Sequence, residues 1–76
     1  MKIQTATLTK SIFSTSIHPV TGQGVAEGIL AVGSLIKEIT EDSDSLGQPT
    51  WEFLASTDGG TTWFSERSHE EPVVAA

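Results

Sequence analysis

The tripeptide Asp58-Gly59-Gly60 constrains this chain more than any other feature, because it separates two alternating segments, Thr50 to Ser56 and Thr61 to Glu66. Turn residues of this kind between strand-like runs are the signature of a β-hairpin. Gly60 supplies the positive φ of a tight reversal, and the Asp58 carboxylate can accept hydrogen bonds from N–H groups of the turn. With the turn centred on Gly59, Thr57 lies opposite Thr61, Ala55 opposite Trp63 and Phe53 opposite Ser65. That register puts Trp51, Phe53 and Trp63 on one face. Two indoles and a phenyl ring each hide on the order of 150–250 Å², so these three are the predicted core aromatics.

The octapeptide Ser56-Thr57-Asp58-Gly59-Gly60-Thr61-Thr62-Trp63 also matches every fixed position of the pattern Ser-x-Asp-x-Gly-x-Thr-Trp. It resembles the Asp box, the hairpin of sialidases and related β-propellers, found too in small phage-associated β modules. The resemblance implies a structural turn carried by Ser56, Asp58, Gly60, Thr62 and Trp63. It does not imply hydrolysis, since the sialidase Asp box stands away from the reacting sugar. Those enzymes use an arginine cluster and a tyrosine nucleophile, whereas this chain has Arg67 alone and no tyrosine. The match covers eight of 76 residues and identifies a hairpin rather than a full-length family.

Upstream, Lys2 to Ile17 is rich in Thr, Ile and Ser, and Ala6, Leu8, Lys10 and Ile12 share one parity, which predicts one bent strand or two short ones. His18 to Gly24 holds a proline and two glycines and reads as a loop. Val25 to Glu41 fits two periods. Val25, Ile29, Val32, Ile36 and Ile39 follow helical spacing, while Ile29, Ala31, Gly33, Leu35 and Ile39 alternate. Gly28 and Gly33 would each cost a helix about 1 kcal/mol, and no capping residue precedes Val25, so two strands broken near Gly33-Ser34 are preferred. Residues 41–49 read as an acidic connecting loop, and residues 67–76 as a loosely ordered tail beyond a single domain of residues 1–66. The predicted fold is all-β, a small antiparallel sandwich or open barrel of five or six short strands. The alternative is α+β, with a helix at about 25–41 on a small antiparallel sheet.

A chain this short holds one modest core, and the lack of cysteine closes the disulfide route to stability, which makes assembly with other chains attractive. Ten acidic residues against four basic ones give a net charge of -6. Lys2, Lys10, Lys37 and Arg67 are scattered, so a nucleic-acid partner is not expected. No segment is apolar enough for a signal core or a membrane span. The expected location is cytoplasmic before any assembly into a particle.

Catalytic and metal-binding patterns fail at specific positions. His18 and His69 are the only candidate bases, and neither sits in a nucleophile motif. His69-Glu70 would need a second histidine where Val73 stands. Asp42 to Gly47 copies the first half of a calcium loop, but Leu46 occupies a ligand position and Phe53 replaces the closing glutamate, leaving a solvated acidic turn. No catalytic residue, metal ligand or cofactor is predicted. The expected function is a non-catalytic structural or protein-interaction module, acting through a protein partner or self-association, with a phage or prophage particle component as its specific form. The alternative is a small carbohydrate-binding module using exposed aromatics among Trp51, Phe53, Trp63 and Phe64.

Overall fold

Side chains that alternate in character, punctuated by glycine and proline, build strands here and nothing else. In the computed structural model residues 5–75 are described, and they form strands, turns and bends with no helix. The strands are β1 (Ala6–Leu8), β2 (Ile12–Ile17), β3 (Gly24–Leu30), β4 (Leu35–Ser43), β5 (Pro49–Ser56), β6 (Phe64–Ser68) and β7 (Val74–Ala75). They make one seven-stranded sheet in the order β3-β2-β6-β5-β4-β1-β7, with every pairing antiparallel. The all-β expectation holds, as a single open sheet of seven strands among the described residues rather than five or six, because the stretch expected as a tail adds β7. The helical alternative for 25–41 does not: the segment is β3 and β4, separated at Gly33, whose φ of 95° stops the extended chain. No helix among the described residues is long and apolar enough to cross a membrane.

Connection length forces the sheet to curl. Around the sheet, β1 and β2 stand four strand positions apart, about 19 Å at the usual spacing. Thr9, Lys10 and Ser11 alone join them, and Leu8 to Ile12 can span at most about 14 Å. The sheet therefore bends until its two halves face each other. Bulges assist the bend by adding local twist. One lies in β4, where pairing jumps from Lys37↔Leu54 to Thr40↔Glu52 and Glu38 takes a φ of 55°. The other lies in β3, where Val25 is the extra residue between Ser16↔Ala26 and Ile17↔Gly24. The concave face encloses Leu8, Ile12, Leu30, Ile36, Phe53 and Ala55, with Ala6 packed against them.

The stretch predicted as a loose tail is part of the sheet. Arg67 and Ser68 complete β6, and β7 pairs with β1 through Thr7↔Ala75 and Leu8↔Val74. The Val73 carbonyl accepts from the Thr9 backbone N–H at 2.8 Å and from the Thr9 hydroxyl at 3.1 Å, and Glu70 Oε2 accepts from Phe13 N–H at 3.0 Å. Low hydrophobicity hid this, because the attachment is made by backbone and polar groups. Residues 2–4 of the expected first strand, and Ala76, lie outside the described residues.

Candidate functional site

The β5–β6 turn is held by two side chains. Ser56, which is buried, donates its hydroxyl to Asp58 Oδ1 at 2.7 Å and accepts from Gly60 N–H at 2.9 Å. Asp58 Oδ1 also accepts from Thr61 N–H at 3.1 Å and Thr62 N–H at 2.9 Å. Trp63 closes the turn by donating its indole N–H to the Gly60 carbonyl at 3.0 Å. Gly59 and Gly60 both carry positive φ, 76° and 99°. The Thr62 N–H, then the Ser56 hydroxyl, draw the Asp58 carboxyl down from 3.8 to about 2. A group depressed in the folded state contributes stability that is complete above its unfolded value and is lost as pH falls toward its folded one. The melting temperature is thus expected to drop between about pH 4 and about pH 2, and to drop less steeply in Asp58→Asn. Identical acid limbs in the two proteins, followed by circular dichroism, would remove the carboxylate from the account.

Two consecutive glycines make this turn one residue longer than a reversal centred on Gly59. The observed pairs are Ala55↔Phe64, Phe53↔Glu66 and Trp51↔Ser68. A slip of one residue exchanges the two faces of a strand, which corrects the sequence-based register. Phe53 is in the core at 3 % exposure. Trp51 shares its side of the sheet but is half-buried, outside the enclosed cluster. Trp63 turns to the convex side, half-buried, with Lys37 Nζ 4.1 Å from its ring centroid. Phe64 takes the place expected for Trp63 and is 53 % exposed.

The same slip carries Glu66 inside. It is only 6 % exposed, and Ser14 and Ser16 of β2 donate their hydroxyls to its Oε1 and Oε2, each at 2.7 Å. Among the described residues no lysine, arginine or histidine forms an ion pair with it, since Arg67 pairs with Glu52 and His69 with Asp44. Above the carboxylate opens a cleft of about 280 Å³, walled by Phe64 and Ala55 on one side and by Ala26, Gly28 and Leu30 of β3 on the other. It exists because β3 offers small residues there: a Cβ built on Gly28 would meet nothing within 4 Å. Sequence reasoning missed this site: Ser14 and Ser16 share parity with buried Ile12, which places them on the inward face but does not point to Glu66.

Beyond the cleft, β3 is an edge. Among the described residues it is hydrogen-bonded to β2 alone, leaving half of its backbone donors and acceptors facing outward. Val25 and Ile29 are 70 % and 68 % exposed, Ile29 pairs with exposed Phe13, and Glu27 stands midway between them.

The remaining predicted groups serve turns. His18 Nδ1 accepts from the N–H groups of Val20 and Thr21 at 3.2 and 3.3 Å. Asp44 Oδ1 accepts from Gln48 and Leu46 N–H, both at 2.9 Å. The Gln48 bond foremost holds the Asp44 carboxyl below its ordinary value, and His69 lies 3.4 Å from its other oxygen. The acidic loop thus closes the β4–β5 reversal with the carboxylate that a calcium loop would turn toward an ion.

Comparison of the chain with protein-family models, curated proteins and solved structures returns no match. The Asp-box resemblance is corrected accordingly. No family model supports it, and the chain folds as one open sheet rather than the closed ring of blades of a sialidase-type propeller. The association with phage particles rested on that resemblance and is withdrawn with it. What stands is the local geometry of the turn.

Proposed function

We propose that the chain is a non-catalytic protein-interaction module that takes an extended, basic segment of a partner protein onto the free edge of β3. The observation that carries this reading is the edge itself, seven residues long, paired among the described residues on one side only and bearing exposed Val25 and Ile29. Strand addition draws affinity from main-chain hydrogen bonds and selectivity from alternate side chains. Charge selects the occupant. Pairing with a second copy in the register centred on β3 sets Glu27 against Glu27, and the net charge of -6 adds repulsion. A lysine-bearing or arginine-bearing strand meets neither obstacle. The bulge at Val25 and the carboxylate of Glu27 also discourage indiscriminate edge pairing. For carbohydrate, a platform of exposed rings is needed, and Trp63 is half-buried with Lys37 laid over its ring.

The test is amide hydrogen exchange of the full chain with the heptapeptide acetyl-Thr-Val-Thr-Lys-Thr-Val-Thr-amide, and with its counterpart carrying Glu in place of Lys. Alternate amides of residues 26–30 are expected to slow with the lysine peptide and to remain fast with the glutamate one. No slowing with either peptide overturns the reading. Slowing that depends on protein concentration without peptide would instead make a second copy the occupant.

A further inference from the structure

We infer that the cleft over Glu66 is a binding site for an alkylammonium group, supplied by a lysine of the strand added to β3; the assignment of that source rests on the strand-addition reading. A buried carboxylate is costly unless it is hydrogen-bonded and its charge is answered. Ser14 and Ser16 answer the first requirement, with one hydroxyl on each oxygen. Nothing among the described residues answers the second. Each carboxylate oxygen retains acceptor capacity after one hydrogen bond, and the open side is the cleft. Phe64, exposed at its wall, offers an aromatic surface to a cation.

The route to the site crosses β3. On the concave side of β3, Leu30 lies opposite Ile12, while Gly28 and Ala26 lie opposite Ser14 and Ser16, so among the described β3 residues only these two small ones stand between the free edge and those serines. A strand added beyond β3 lies about 10 Å from β2. A lysine stem, on the order of 6 Å long, laid over Gly28 brings its ammonium to hydrogen-bond distance of a carboxylate that the two serines hold above β2. Phe64 and Ala55 then flank the methylene groups. A bulky residue at 26 or 28 would close this path. The small residues on the edge strand and the buried glutamate two strands away thus form one device, in which the edge supplies backbone pairing and the cleft reads one side chain.

The experiment compares, on the full chain, the lysine heptapeptide with the same peptide carrying norleucine, and adds n-butylammonium as a free amine. The lysine peptide is expected to bind roughly tenfold more tightly than the norleucine peptide and to shift the Ser14, Ser16 and Glu66 carboxyl resonances. Glu66→Gln removes that advantage, and Gly28→Leu, which fills open space without a clash at its Cβ, removes it while leaving Glu66 in place; Glu41→Gln, an exposed position on β4 away from both the edge and the cleft, preserves it. Equal affinity of the two peptides, or an advantage lost in Glu27→Gln and kept in Glu66→Gln, overturns the inference and leaves strand addition standing. If neither peptide binds but n-butylammonium shifts those resonances in the parent and not in Glu66→Gln, strand addition fails and the cleft remains a site for a free amine. Silence with all three probes overturns both.

Discussion

Replacing Phe53 with alanine is expected to cost about 3–5 kcal/mol, and to leave a large share of the molecules unfolded at physiological temperature. A chain of this length holds on the order of 4–11 kcal/mol in total. Phe53 is the one aromatic ring among the enclosed side chains, with Leu8, Ile12, Leu30, Ile36 and Ala55 around it. These come from five strands, so the ring joins both halves of the curled sheet. Alanine would remove the largest side chain of the cluster, and neighbours drawn from so many strands can collapse into the space only by shifting backbone. Urea unfolding checks the expectation: the midpoint should fall by roughly a quarter or more, and a midpoint equal to that of the parent would show that the core lies elsewhere.

Removing residues 70–76 is the second large effect, expected to cost about 2–4 kcal/mol because several hydrogen bonds worth ~0.5–1.5 kcal/mol each are lost together. Thr9 loses the Val73 carbonyl to which both its N–H and its hydroxyl donate, and Phe13 N–H loses the Glu70 carboxylate. β1 loses its pairing with β7 and becomes an edge of three residues. Leu8, fully buried, is uncovered on that side. The melting temperature of the shortened chain should drop by several degrees, with faster exchange at Thr9 and Phe13 N–H. Unchanged melting would mean that the segment only rests on the sheet.

Local chemistry was legible wherever it acts over a few residues. Asp58, Gly59 and Gly60 announce a reversal, and Gly28 and Gly33 weigh against a helix through 25–41, because backbone freedom and side-chain acceptors work within a turn. The enclosed position of Phe53 follows from hydrophobicity and alternation. Register was another matter. Centring the turn on Gly59 or half a residue later is equally compatible with the residue types, yet the choice decides whether Trp63 or Phe64 shares the face of Phe53. The structure takes the longer turn, so Trp63 goes to Lys37 on the convex side and Glu66 goes inside. The serines that receive Glu66 lie about fifty residues away in the chain, and no local pattern joins them to it.

By itself the sequence favoured the β class over a helix at 25–41, placed reversals near Gly33 and Gly59, and set a net charge of -6, since each follows from residue types and their near neighbours. Tertiary structure alone decided which strand became the free edge, which ring was enclosed, and that one glutamate would sit beneath two serines facing an open cleft. The physical reason is that strand order and curl arise from how a three-residue link between β1 and β2 can be spanned, a condition on the whole sheet that no single segment carries.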